Sequence, residues 1–390
     1  MLLKTQAIIP MSKTSHIVLT TIRNPVVLQD LLQNIRQHGH LDHTVCWVVG
    51  DRKTPASAES LCRQITTSGL ETHYLGIEQQ DAWGKKFPEL YASIPYDNET
   101  RRNIGYLKAM EHGCERLISI DDDNFPTEDD FIGFHQATGS VWERDLAADP
   151  SGYINICEYL ELEPERLIFP RGFPFQLRGM KNDLVSIPSN HRTRIGVTAG
   201  LWLKEPDIDA TTWLNGTVQS LKFTGPARTV LDQGTWTPIN TQNTSVASEL
   251  IPAFLCVPMG YEVPGGKIER YGDIWGGYFL QAVLQGTDYH VSFGRPIVEH
   301  RRNPHDYLAD LRHEYWGMML TDWLLGHLHD QFVPSESSIP DRMIELSCFI
   351  KEIAVSQPPD WIPPAVSEYL VSITETMNTW GKTCKEIKGA

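Results

Sequence analysis

The chain has 390 residues, 41% hydrophobic and 21% charged, with a formal net charge of −15 at pH 7. That length allows a large core and about two or three domains. The acidic balance argues against a nucleic-acid binder, which would show a basic patch or stripe, yet leaves room for a phosphate-bearing small molecule held by a few local arginines.

The seven cysteines form no CxxC pair and their number is odd. This suits a reducing compartment, with no disulfide framework and no zinc site. The opening stretch MLLKTQAIIPMSK lacks a long apolar run followed by a small-residue cleavage site, so no signal peptide is expected. No segment reaches the roughly 18 apolar residues of a membrane span. The expectation is a soluble, cytoplasmic protein.

In chain order, SHIVLTTIR (15–23) is β-branched and apolar and stops at Asn24-Pro25, which predicts a buried strand and a turn. VVLQDLLQNIRQHG (26–39) has helical spacing and ends at Gly39. TVCWVVGD (44–51) predicts a second strand, SAESLCRQITTSG (57–69) a second helix and ETHYLGI (71–77) a third strand. ETRRNIGYLKAMEHG (99–113) reads as a helix ending at Gly113, and RLISIDDD (116–123) as the next strand. Strands alternating with helices at this spacing predict a parallel α/β sheet, whose ligands bind beyond the carboxyl ends of the strands. Thr21, Arg23, Asp51 and the triplet Asp121, Asp122 and Asp123 all fall at such ends and should meet in one crevice.

Further on, 142–199 loosens into short strands and loops, and 211–249, rich in Thr, Gly, Asn, Gln and Ser, reads as extended loops or a hairpin. YGDIWGGYFLQAVLQG (271–286) reads as a loop entering an apolar helix, and 303–390 as mostly helical. The expected division is a nucleotide-sugar-binding domain over 1–302 and a helical region over 303–390, whose apolar helices could pack on the core or on a second copy.

Three like charges at the end of a buried strand call for a cation. Carboxylate oxygens are hard ligands suited to Mg2+ or Mn2+, and Mg2+ sites combine one or two carboxylates with substrate phosphates. Asp121 and Asp123 are the candidate ligands, with His300 at the end of another apolar strand as a third. A solvated acidic turn is the plainer reading. Arg101 and Arg102 open a helix, where the dipole also favours phosphate. Arg171 and Arg178 lie in PRGFPFQLRG (170–179), whose Gly and Pro constrain the backbone. Asp207 and Asp209, two apart, would point to one side in extended chain. Asp273 lies at an expected helix start beside Trp275, where capping is as good an explanation.

Together, DDDN, PRGFPFQLR, GLWLKEPDIDA and RYGDIWGGY make a recognisable set. The chain resembles the reversibly glycosylated polypeptides, the UDP-arabinopyranose mutases of plants, over about 17–328. It is also similar to bacterial pyranose mutases of nucleoside-antibiotic pathways that act on GDP-galactose. The resemblance implies a nucleotide-diphospho-sugar transferase fold of the GT-A type. It implies metal-dependent, flavin-independent interconversion of pyranose and furanose nucleotide sugars, with Mn2+ or Mg2+. It places Asp121, Asp122 and Asp123 on the acidic metal motif and Arg171 on the arginine linked to reversible glycosylation. Asp207, Asp209 and Asp273 fall on further acidic positions of the family motifs. Asn124 stands where the family usually carries Cys, and CVPMGYEVPGG (256–266) replaces an expected Cys-Gly-Met-Asn stretch. Two rival functions share the donor site: a glycosyltransferase passing sugar to an external acceptor, and a non-catalytic or self-glycosylated scaffold.

Overall fold

The computed structural model describes residues 15–389. The stretch MLLKTQAIIPMSK, where no signal peptide is expected, lies outside them. The strands β1 (Ser15–Thr21), β2 (Thr44–Gly50), β3 (Glu71–Leu75) and β4 (Arg116–Ile120) form where β-branched runs predict them. The helices α1 (Val27–Gln37), α2 (Ser57–Thr67) and α3 (Arg102–Glu111) fall in the intervals between them. These four strands pair in parallel in the order β3-β2-β1-β4.

Three longer-range strands extend the sheet: β5 (Arg194–Lys204), β6 (Asn243–Ala247) and β7 (Tyr289–His300). The order continues β4-β6-β5-β7, with β6 antiparallel to β4 and to β5, and β7 parallel to β5. A short strand, Arg228–Val230, closes that edge against β7. Every long strand therefore runs one way except β6. With helices around this sheet and a helical C-terminal region, the chain has the α/β, GT-A-type layout that was expected.

The segment 211–249 departs from its expected loop or hairpin. It supplies a strand at Gln219–Phe223 and, in β6, a strand buried throughout at the centre of the sheet. NTSVA carries no apolar alternation because three of its five buried side chains are polar and held by hydrogen bonds. Asn243 Oδ1 lies 3.1 Å from His135 Nε2, and Ser245 Oγ lies 2.9 Å from His135 Nδ1 and 2.6 Å from Thr138 Oγ1. Thr244 Oγ1 donates to the Asn240 carbonyl at 2.7 Å. Burial holds the His135 pKa down to about 3, against its hydrogen bond to Asn243, so the ring stays neutral.

The helix α4 (Gly272–Leu284) is buried along its whole length. It can run this close to neighbouring backbone because Gly276 has no side chain; a Cβ there would overlap the Leu255 carbonyl oxygen. The C-terminal region forms α5 (Tyr307–Gln331), α6 (Ile339–Ser356) and α7 (Pro364–Gly389), as expected from its helical spacing. α6 packs on α4 and α7 on α3. One continuous apolar core therefore runs from Ile17 in β1 to Cys384 in α7. Among the described residues no helix is long and apolar enough to cross a membrane.

Candidate active site

The carboxyl ends of β1, β2 and β4 open onto a cavity of about 280 Å³. Thr21, Arg23, Asp51, Arg101 and Asp122 line it, joined by Asn98, Glu99 and Asn303. Five of the residues expected at strand and helix ends thus meet, and the three others were not foreseen.

The acidic triplet sends its side chains three ways. Asp121 accepts from Arg102 Nη2 at 2.7 Å. Asp122 accepts from Thr21 Oγ1 at 2.6 Å. Asp123 lies 3.6 Å from His300 Nε2 and accepts from Asn303 Nδ2 at 3.3 Å. His300 is fixed from behind by the Glu205 carbonyl, 2.7 Å from its Nδ1. Burial pushes Asp121 up more than Arg102 pulls it down, with Asp123 and Asp273 adding repulsion. Burial and its two acidic neighbours lift Asp122 to about 6 despite the Thr21 hydrogen bond. Asp123 goes the other way: burial opposes its charge, but the His300 hydrogen bond and charge outweigh burial and hold its pKa low. His300 is correspondingly raised, against burial, by Asp123 and Asp207. The cluster as a whole is short of positive charge.

Its donor set fits a divalent cation held together with phosphate. Asp121 and Asp123 are hard oxygen ligands and His300 adds a nitrogen acceptable to Mn2+. The side-chain oxygen of Asn124, buried beside Asp123, has no hydrogen-bond partner. Among the described residues, three ligand atoms of His, Cys, Asp or Glu converge within 4.8 Å only elsewhere, at Glu71, His73 and His112. Asp121, Asp123 and His300, expected as three metal ligands, do not bring three ligand atoms within that distance in this structure.

Arg171 is buried between two carboxylates. Its Nε and Nη2 donate to Asp207 at 2.9 and 3.0 Å, and its Nη1 and Nη2 to Asp273 at 3.1 and 2.9 Å. A further Nη1 bond goes to the Arg270 carbonyl. The backbone reaches this position through Gly172, at φ +84°, where a Cβ would overlap Ile274. Burial opposes the Asp207 charge, but Arg171 overrides it and holds the pKa at about 2. Asn240 Nδ2 adds a hydrogen bond to Asp207 at 2.8 Å.

The loop before β6 joins the two clusters. Asn240 holds Asp207, Thr241 Oγ1 accepts from Arg102 at 2.5 Å, and the Gln242 carbonyl accepts from the Asp121 amide at 3.3 Å. Glu99 feels both clusters. Its side chain is exposed at the cavity mouth, and desolvation by the protein crowded around it, together with Asp273, raises its pKa to about 7 against Arg102 and Arg171. Glu99, Asn240 and Thr241 went unnoticed in the sequence. Only the position of Glu99 beside Arg101 and Arg102 could have drawn attention to it.

Other expected residues sit apart from this convergence. Asp207 and Asp209 do not face one side together. The chain turns into a short helix, Ala210–Leu214, and Asp209 caps it by accepting from the Thr212 amide at 2.9 Å. Arg178 pairs with Asp209 and stacks 3.7 Å over the Phe175 ring. Trp275 is buried in the core, its indole donating to Thr321 Oγ1 at 2.9 Å. Asp273 is not the cap of α4, which starts after Tyr271; its carboxylate faces Arg171. Arg101 reaches the cavity wall, but its guanidinium is held by Gln80 and lies 4.2 Å over the Tyr96 ring.

Among solved structures the chain is similar to glucosyl-3-phosphoglycerate synthase from Mycobacterium tuberculosis in complex with Mn2+ and uridine-diphosphate-glucose. The TM-score is 0.38 at 13% identity, over 80% of this chain and 79% of that one. Among curated proteins it is 27% identical over 297 residues to UDP-arabinopyranose mutase 2 of Arabidopsis thaliana, covering 75% of this chain and 74% of that protein. It is 25% identical over 297 residues to probable UDP-arabinopyranose mutase 1 of Pisum sativum, covering 75% and 73%. The sequence profile of the reversibly glycosylated polypeptides matches residues 79–388. The chain belongs to the reversibly glycosylated polypeptide family.

Proposed function

We propose that the protein is a nucleotide-sugar mutase that interconverts pyranose and furanose forms of a nucleoside-diphosphate sugar, of the UDP-arabinose or GDP-galactose type. One observation supports the reading: Glu99, whose pKa is raised, lines the strand-end cavity together with Asp122, Thr21 and Asn303.

The chemistry explains why that matters. The C1–O bond to diphosphate breaks, and its electron pair leaves with the diphosphate. The hydroxyl that becomes the new ring oxygen bonds to C1 and loses its proton. The diphosphate then returns to C1, and the bond to the old ring oxygen breaks, leaving its electron pair on that oxygen, which takes up a proton. The net event moves one proton between two sugar oxygens, and no external acceptor or redox partner is consumed. A single acid/base group with a pKa near the working pH suits this best, and Glu99, on the cavity wall, is our candidate for it.

When bound on Asp121 and Asp123, Mn2+ or Mg2+ would neutralise charge developing on the departing diphosphate. Arg102 fixes Asp121 at the start of α3, whose N-terminal dipole end also favours phosphate. Arg171 has five N–H donors and uses five hydrogen bonds on protein acceptors. Its role in this reading is to hold the Asp207 and Asp273 carboxylates in place beside the site. A guanidinium so occupied, with its pKa raised by the two carboxylates against burial, is a poor nucleophile. Flavin has no part in the scheme.

The test is incubation with UDP- and GDP-linked pentoses and hexoses and Mn2+ or Mg2+, followed by NMR. The expected result is an isomeric nucleotide sugar, lost on chelation and lowered by at least about 100-fold in Glu99→Gln. Slow hydrolysis alone, or turnover only with an added acceptor, would replace the mutase by a glycosyltransferase. Tight binding without any product would leave a scaffold.

A further inference from the structure

The three ligand atoms that converge in this structure lie away from the acidic motif. Glu71 and His73 stand two apart on the edge strand β3, so they share one face. His112 caps the C-terminus of α3 and is exposed, while Glu71 and His73 are half-buried. One ligand atom from each lies within 4.8 Å of the others. Glu71 Oε1 and His73 Nε2 are already 2.8 Å apart.

Neighbouring rings hold this arrangement. Trp47, the register partner of His73 across β2 and β3, stacks on it at 4.4 Å and 21°. The same indole meets His112 edge-on at 5.3 Å. Its Nε1 donates to His16 Nδ1 at 3.2 Å, deep in the sheet. The two candidate imidazoles are therefore positioned by one fixed ring, as conserved outer contacts position metal-binding histidines. The helix end adds partial negative charge beside His112, which favours a cation. Lys108, whose ammonium lies 6.0 Å from the Trp47 ring centroid, is paired with Glu111 at 2.7 Å.

We propose that Glu71, His73 and His112 form a second metal site, for a divalent first-row transition ion, Zn2+ before the others. Two imidazoles and one carboxylate are the ligand chemistry of such ions, and an exposed third ligand leaves the fourth position to water. Mg2+ and Ca2+, which prefer all-oxygen sites, are poor occupants. The ion would staple the edge strand to the C-terminus of α3. That helix is 10 residues long, so the site lies about 15 Å from Arg102 at the other end. The inference uses no cysteine and is independent of the proposed reaction.

The experiment uses the full chain stripped of metal. Zn2+ is titrated against a chromophoric chelator, with Co2+ absorption as a second probe, in wild type, His112→Ala, Glu71→Gln and the double variant Asp121→Asn/Asp123→Asn. Wild type and the aspartate double variant should each take up one tight Zn2+ equivalent. His112→Ala and Glu71→Gln should weaken that uptake by at least about 10-fold. Melting temperature should rise with one equivalent of Zn2+ only where His112 is present, and since His112 is exposed the variant should fold. The proposal is overturned if wild type binds no Zn2+ tightly, if His112→Ala binds as well as wild type, or if the aspartate variant loses the site instead.

Discussion

Arg171 is the residue whose context matters most. Every donor it has is spent on Asp207, Asp273 or a carbonyl, so its replacement strands two buried carboxylates. Breaking a buried pair by removing one partner costs about 3–5 kcal/mol. Arg171→Lys supplies three donors from a point charge and should lose stability of that order in urea unfolding. Turnover should fall by at least about 100-fold through carboxylate misplacement. A lysine variant with full turnover would dismiss the positioning role. Glu99 makes a prediction of opposite character. Its carboxyl binds a proton more tightly in the folded state, at about 7 against an ordinary 4.5. Stability from this group is therefore complete below about 4.5 and declines as pH rises towards 7. In metal-free protein, the urea midpoint of Glu99→Gln should show a flatter pH dependence over that interval than wild type.

At the scale of elements, β6 and α4 carry the site. β6 is reversed between β4 and β5, and the loop that enters it hands Asn240 and Thr241 to the two charged clusters. α4 carries Asp273 in its first turn and lies against the Leu255 backbone at Gly276. Gly276→Ala separates two effects of opposite sign. Helix propensity favours Ala by about 1 kcal/mol, while overpacking costs about 1–3 kcal/mol. Because the obstructing atom is a backbone carbonyl, packing should win: the variant should melt lower than wild type and lose activity as Asp273 shifts. A higher melting temperature would mean that α4 has more room than its contacts indicate.

Across the whole molecule, the C-terminal helices buttress the face that carries the candidate site. α7 packs on α3, the helix that presents Arg102 to Asp121. Trp380 of α7 is fully buried and donates to the Pro252 carbonyl at 2.9 Å. Tyr369 donates to the Pro258 carbonyl at 3.0 Å. Trp380→Ala should cost about 3–5 kcal/mol, read by denaturant unfolding, and should weaken nucleotide-sugar binding although it lies far along the chain from every candidate ligand. Unchanged stability would make the helical region an appendage.

β1 to β4 and the helices between them were legible in the sequence because each closes its pattern locally: a β-branched run, a turn, a helical stripe, a glycine stop. The acidic triplet was legible for the same reason, since a strand end is a local event. β6 was not legible, because three of its five buried side chains are polar and the partners of Asn243 and Ser245, His135 and Thr138, lie about a hundred residues away in sequence. Nor was the division of labour among the carboxylates. Asp207 and Asp209 look alike in the chain, but a turn gives one to Arg171 and the other to a helix cap. Local pattern determined which segments become strands and which motifs carry charge. Only the tertiary structure decided which charges face one another, because pairing energies and pKa values depend on distance and burial in space.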